Sequence, residues 1–217
     1  MIELIEAKPD AYKNVAVDTI DRLFDHAVVY ICEKLGISRL GKDEDGKQDH
    51  GASFSVLNTE VRDALQRLHD TGVGVFIVSH DKDVTVKQRS GGEYDKHCAS
   101  LSPSRRETIE AFCDFIFAFD YAKDSEGVEK RLMITSGDDT VTAKARKIAG
   151  RTLPKYIEVR EDDGYEHLRD AWKGKHDGLD PNTLTPSKRS SKAGGAMLVD
   201  DRVTARTQPL KRARKGG

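Results

Sequence analysis

The chain has 217 residues and a mass of 24.1 kDa, which is enough for one domain with a hydrophobic core of ordinary size. No apolar run approaches membrane-spanning length, and the N-terminus lacks the basic and apolar regions of a secretory signal. The three cysteines lack the spacing of a metal site and are odd in number, which favours reduced thiols. We therefore expect a cytoplasmic protein without a membrane partner.

The net charge of −1 hides an uneven distribution. Residues 187–217 hold nine Lys and Arg and two Asp, a net charge of +7, so the remaining residues carry −8. From residue 174 onward the composition shifts to Pro, Gly, Ser, Thr and basic residues, which predicts a disordered basic tail over 174–217 and a folded domain over 1–173. Such a tail suits either contact with a polyanion or a role in solubility alone.

A short apolar run that ends in a carboxylate dominates the N-terminal region. The stretch Asn14–Asp18 is typical of a strand buried on both faces of a parallel sheet, and a helical pattern follows over Asp21–Gly36. Asp18 would then lie at the carboxyl end of a strand, where open α/β sheets bind ligands. P-loop nucleotidases place an acid there to hold the water shell of Mg²⁺. The alternative is that Asp18 only caps the next helix.

A second apolar strand is predicted at Val75–Val78, after a helical stripe that begins at Ala52. This strand also ends in polar residues, Ser79 and His80. Two such strands joined through helices form a βαβ unit, in which both carboxyl ends share one edge. We therefore expect Ser79 and His80 beside Asp18.

The segment Gly36–Asp43 has the glycine and lysine spacing of a phosphate-binding loop. However, Asp43 replaces the hydroxyl residue that should contact Mg²⁺, and the segment follows a helix rather than a strand. Only about 14 residues precede the acidic strand, too few for a strand, a loop and a helix. We predict that Gly36–Asp43 is a polar connection and that these residues contain no phosphate loop.

Residues 82–101 are polar, and the pair Gly91–Gly92 predicts the turn of a hairpin arm. The arm carries four basic side chains and one aromatic ring: Lys82, Lys87, Arg89, Lys96 and Tyr94. These side chains suit nucleic-acid binding through phosphate contacts and stacking, although a plain surface hairpin explains them equally well.

The remaining pattern alternates helix and strand. The pair Ser102–Pro103 predicts a helix start, and strands are predicted over 114–119 and 131–135, with an acidic turn between them. A short strand over 156–159 and a short helix over 165–172 complete the predicted domain.

Three segments in this order resemble a known family: VAVDTIDRLFDHAVVYICEKLG, GVGVFIVSHDKD and SPSRRETIEAFCDFIFAF. Over residues 5–160 the chain resembles phage ATP-binding proteins of the RecA-like AAA class, the nucleotide-binding proteins of phage recombination modules. The resemblance implies an α/β fold, a RecA-like P-loop NTPase core with a mostly parallel sheet flanked by helices. It also implies that the first strand, phosphate loop and helix are missing, through a start at an internal methionine or a loss from the gene.

The resemblance also implies roles for individual residues. Asp18 becomes the Walker B acid that binds Mg²⁺, with Thr19 as a second cofactor-binding residue. Ser79 and His80 occupy the place of a polar γ-phosphate sensor, so Asp18, Ser79 and His80 are the expected catalytic residues. The arm matches the position of a DNA-contacting loop.

The function implied is that of an ATPase core in DNA recombination or repair, acting on single-stranded DNA as a homo-oligomer in the host cytoplasm. ATP and Mg²⁺ are the expected cofactors of the complete family member. Without the phosphate loop, this chain alone is expected to bind ATP weakly or not at all. Two alternatives stay open: a non-catalytic DNA-binding accessory module, and a degenerate fragment that has lost ATP binding.

Overall fold

The computed structural model describes residues 2–89, 91–147, 150–160, 162–175 and 178–186. Its helices are α1 Ile2–Ala7, α2 Ile20–Leu35, α3 Ala52–Asp70, α4 Pro103–Phe112 and α5 Gly164–Trp172. Its strands are β1 Asn14–Asp18, β2 Gly74–Val78, β3 Asp81–Lys87, β4 Glu93–Ala99, β5 Phe115–Ile116, β6 Ala118–Lys123, β7 Glu129–Ile134, β8 Lys144–Ala145, β9 Tyr156–Glu158 and β10 Thr185–Pro186. The predicted basic tail lies outside the described residues from position 187 onward.

The N-terminal half is built on the parallel pair β1 and β2, which α2 and α3 connect. Apolar residues at helical spacing on α2 and α3 meet in a core whose largest fully buried members include Phe24, Ile31 and Leu57. Helix α2 ends where Gly36 adopts a left-handed conformation, with φ of 66°. The predicted βαβ unit is therefore observed.

Strand β1 was expected to be buried on both faces, and this prediction is wrong. Val17 and Ile77 pack against the core of α2 and α3, whereas Phe76 and Val78, on the opposite face of β2, are 60% and 46% exposed. A crossover connection places its helices on one face of the strands that it joins. The helices between β1 and β2 therefore cover only one side of this pair.

The expected mostly parallel sheet is not observed either. Among the described strands, β1 and β2 form the one parallel pair, and the other sheets are antiparallel. Strands β6 and β7 are joined by the short acidic turn, whereas a parallel connection requires about a dozen residues or more. They therefore form a hairpin, within a four-stranded sheet of order β10–β6–β7–β9.

The C-terminal part of the described chain packs on this sheet. Met133 and Ile157 are buried beneath α5, where they contact Ala171. Past α5, the short strand β10 pairs with β6, so chain beyond residue 174 also contributes to a sheet.

The described helices include none that is long and apolar enough to cross a membrane. All three cysteines are free thiols: Cys98 is buried, and Cys32 and Cys113 are half-buried. Burial raises the pKa of the Cys98 and Cys113 thiols, which favours the protonated form.

Candidate functional site

The carboxyl ends of β1 and β2 meet at one edge of the N-terminal sheet. In the parallel register Asp18 is the partner of Val78, and Ser79 and His80 follow directly. The expected placement of Asp18 and the polar pair at one edge of the sheet is therefore observed. The chain continues from His80 straight into the hairpin of β3 and β4.

Asp18 presents an unengaged carboxylate at this edge. Its residue is exposed, and its side chain accepts no hydrogen bond from the part of the chain that the structure describes. Thr19, not Asp18, is the N-cap residue of α2, so the alternative of a simple capping role for Asp18 is not supported. The Thr19 hydroxyl oxygen is buried and has no hydrogen-bond partner of good geometry among the described residues.

Asp21 was not predicted as a site residue, yet it contacts His80 directly. Its Oδ2 lies 2.8 Å from Nδ1 of His80, and its Oδ1 accepts a hydrogen bond from the His80 backbone N–H at 3.4 Å. Partial burial alone would raise the pKa of Asp21, but hydrogen bonds from the His80 side chain, the Thr19 side chain and the backbone outweigh it and lower that pKa. The signal available in the sequence was a carboxylate in the first turn of α2, where the helix dipole favours it.

Ser79 stabilises the connection between β2 and the hairpin. Its hydroxyl donates a hydrogen bond to the His80 carbonyl at 2.8 Å, and the backbone N–H of Ser100 donates to the same oxygen at 2.7 Å. These bonds tie the end of β2 to the base of the hairpin. The His80 side chain, by contrast, is 67% exposed.

A second histidine at the base of the arm is clamped between two carboxylates. The Nε2 of His97 lies 2.7 Å from Asp81, its Nδ1 lies 3.0 Å from Asp83, and its side chain is only 11% exposed. The backbone of His97 also pairs with Thr140 and Thr142. His97 thus joins β3, β4 and the 140–142 segment, a structural role that its sequence position did not reveal.

The predicted arm is an antiparallel hairpin, and its alternating side chains divide the predicted nucleic-acid contacts. Lys82, Tyr94 and Lys96 share one face, in register with Cys98, Val86 and Val84. Lys87 lies on the opposite face, where its Nζ is 3.6 Å from Glu93. Arg89 belongs to the exposed turn.

The opposite face of the hairpin is acidic. It carries the side chains of Asp81, Asp83, Glu93 and Asp95. A phosphate backbone would be repelled there, so the face of Lys82, Tyr94 and Lys96 is the better candidate for nucleic acid.

The segment Gly36–Asp43 lies at the far end of α2, about 24 Å from Asp18 for a helix of 16 residues. Two of its backbone amides are already used: Gly41 donates to the Ser53 hydroxyl at 2.8 Å, and Asp43 donates to the Lys47 carbonyl at 2.9 Å. The segment is a polar connection, as expected, and it does not form a cradle for phosphates.

The residues at the edge fit one part of a Mg–nucleotide complex. An exposed carboxylate and a neighbouring hydroxyl, from Asp18 and Thr19, suit hydrated Mg²⁺, which typically takes one or two protein carboxylates. Among the described residues there is no cluster of three or more side chains arranged to hold a metal ion by themselves. Asp18 and Thr19 therefore fit the Mg²⁺ of such a complex, whereas Gly36–Asp43 is too distant from them to bind its phosphates.

Comparison with known proteins identifies the family. A family model described as an AAA domain matches residues 1–147, more than half of the chain, and this range includes β1, β2 and the hairpin arm. No curated protein and no solved structure matches. AAA domains are P-loop nucleotide-binding domains of the ATPase type. The chain therefore belongs to the AAA domain family.

Proposed function

We propose that this protein is a nucleotide-responsive AAA protein of the phage RecA-like type, which acts on single-stranded DNA in recombination or repair. The observation that carries the proposal is the edge shared by β1 and β2, where the exposed carboxylate of Asp18 ends β1 and a histidine oriented by Asp21 follows β2. Family membership supports the nucleotide-binding part. The DNA-binding part rests on the basic face of the arm.

The roles of the edge residues follow from their hydrogen bonds. A carboxylate only accepts hydrogen bonds, so Nδ1 of His80 must carry the proton that it shares with Asp21. In the neutral ring this leaves Nε2 as an acceptor, suited to orient a water molecule. Asp18 would hold Mg²⁺ through its water shell beside Thr19. When bound, Mg²⁺ would supply positive charge to neutralise the phosphates.

The experiment is a titration of the ¹⁵N-labelled 217-residue chain with Mg–ATP at millimolar concentration, followed by NMR. We expect weak binding, with shifts centred on Thr19 and His80. The variant Asp18→Asn should reduce these shifts several-fold, and the matched control Asp25→Asn, at an exposed position on α2, should preserve them. Shifts centred elsewhere, or shifts that do not depend on Mg²⁺, would contradict the proposed site. Submicromolar affinity by calorimetry would contradict the expectation of weak binding.

A DNA-binding accessory module without catalysis is the second candidate. The distance between Gly36–Asp43 and Asp18 favours this candidate, because Gly36–Asp43 then cannot bind the phosphates of a nucleotide held at Asp18. Single-strand affinity that is unchanged by Mg–ATP, together with no Mg–ATP shifts at the edge, would select this candidate.

The proposal includes a homo-oligomer, since RecA-like sites form between subunits. Sedimentation velocity of the full chain tests it, with and without single-stranded DNA. A monomer under both conditions would contradict a homo-oligomer.

A further inference from the structure

The four-stranded antiparallel sheet has two faces of different character. One face is largely buried, with Ala122, Leu132 and Ile134 each less than a tenth exposed. The other face is covered by α5 only near Met133 and Ile157. The remainder of this second face, along β6 and the start of β7, is open.

Two aromatic rings occupy the open part. Phe119 and Tyr121 lie two residues apart on β6, so both side chains point to the same face, and they are 45% and 50% exposed. The spacing of such residues along a strand is about 6.6 Å. This is close to the separation of successive bases in an extended single strand.

Cations accompany the rings. The antiparallel register places Arg131 opposite Tyr121, and its guanidinium lies 5.9 Å from the centre of the Phe119 ring. Lys123 follows on the same face, opposite Glu129. Neither Arg131 nor Lys123 makes an ion pair with another described residue, so the patch keeps positive charge beside its aromatic rings.

We infer that this face of the sheet is a binding surface for single-stranded DNA, on which bases stack against Phe119 and Tyr121 while Arg131 and Lys123 contact the backbone. Aromatic rings stack with any base, and neighbouring cations attract the phosphates, so the patch combines the two elements of sequence-tolerant single-strand binding. The inference deepens the proposed function, because it names a second surface for the same class of partner.

A protein partner fits the patch less well. A stable protein interface buries about 800 Å² on each side and has a centre depleted of charged residues. Here two rings are bordered at once by Lys123, Glu129 and Arg131. Stacking on nucleic acid needs only the rings and the adjacent charges.

The test is fluorescence anisotropy of a labelled oligo(dT), measured with the full chain and without nucleotide. The double variant Phe119→Ala/Tyr121→Ala should bind at least about tenfold more weakly, since the two stacked bases together contribute more than that. Tyr121→Phe should retain the affinity, because the ring remains. Arg131→Gln should lower the slope of log affinity against log salt by about one. Tyr12→Ala, which removes an equally exposed ring outside the sheet, is the matched control.

A second double variant and a second oligonucleotide serve as controls. The variant Phe119→Leu/Tyr121→Leu preserves apolar volume, so equal weakening in a chain with native circular dichroism excludes misfolding as the cause. Oligo(U) should bind comparably, because stacking does not involve the sugar. Binding of oligo(U) alone would contradict the inference, as would an unchanged oligo(dT) affinity in both double variants.

Two other results would also be informative. A changed oligomeric state with unchanged oligo(dT) affinity would overturn the inference and assign the patch to protein contacts. The arm variants described below are measured separately. Loss of binding only in the arm variants would overturn the sheet surface and leave the proposed function intact. Loss only in the sheet variants would support the sheet surface and contradict DNA binding by the arm.

Discussion

Two carboxylates three residues apart, Asp18 and Asp21, have different surroundings at the start of α2. Asp18 is exposed and accepts no hydrogen bond from the described chain, whereas Asp21 is bonded to His80. A side chain without internal partners adds little to folding and is available to a ligand. We therefore assign ligand binding to Asp18 and the positioning of His80 to Asp21.

We predict that Asp21→Asn lowers stability near neutral pH by about 0.5–1 kcal/mol, a small value because His80 is largely exposed. The pKa of Asp21 is lowered in the folded state, so at acidic pH the unfolded chain binds more protons than the folded chain. The contribution is therefore present above the unfolded pKa of about 4 and is lost as the pH falls through the folded pKa. Urea unfolding at a series of pH values checks this.

The difference between the native protein and Asp21→Asn should shrink as the pH falls below about 5. The control Asp18→Asn should unfold within about 0.5 kcal/mol of the native protein over the neutral range. A constant difference at all pH values would show that Asp21 stabilises the fold without the ionised hydrogen bond.

At the scale of elements, the hairpin of β3 and β4 is held to the domain through His97. Its ring is buried between Asp81 and Asp83, and its backbone pairs with the 140–142 segment. We predict that His97→Ala loosens the hairpin base by about 1–3 kcal/mol, since the buried ring and its contacts with the two carboxylates are removed. Hydrogen exchange of the β3 and β4 amides is the measurement.

Faster exchange should be confined to the hairpin and its contact with the 140–142 segment, while α2 and α3 stay protected. Asp95→Ala, on the same face but farther from the domain, is the matched control. It removes only a hydrogen bond to Thr85, so its effect should be smaller. Equal effects of both variants would refute a special role for His97.

The division of the hairpin into a basic face and an acidic face gives a second prediction at this scale. Lys82→Gln/Lys96→Gln should weaken single-stranded DNA binding and lower the salt slope by about two. Lys87→Gln should have a smaller effect, because Lys87 lies on the acidic face next to Glu93. Filter binding at several salt concentrations distinguishes the two faces, and a larger effect from Lys87→Gln would contradict the assignment.

For the whole molecule, the uncovered face of β1 and β2 is the main departure from a closed core. Phe76 is 60% exposed on this face. Exposed apolar patches on sheets favour association. We predict that Phe76→Thr reduces concentration-dependent light scattering at little cost in stability, because the ring is largely in water already.

The matched control is Val29→Thr, which changes an equally exposed apolar residue on α2. It should leave the scattering unchanged. Equal reduction by both variants would indicate general surface hydrophobicity, and this would contradict a specific role for the sheet face.

The sequence was sufficient wherever structure depends on neighbouring residues. The strand Asn14–Asp18, the helix that ends at Gly36 and the hairpin around Gly91 follow from local apolar periodicity and turn chemistry, and all three are observed. The placement of Asp18 and His80 at one sheet edge was also predictable, because a crossover between two apolar strands favours a parallel pair.

Only the tertiary structure decided how these elements face one another. Local periodicity does not state on which side a helix packs, so the open face at Phe76 and the antiparallel sheet were not foreseen. The contact of Asp21 with His80 joins residues 59 positions apart, and the clamp on His97 depends on strand register. Such contacts arise from the way the chain folds back on itself, and short-range patterns carry no information about them.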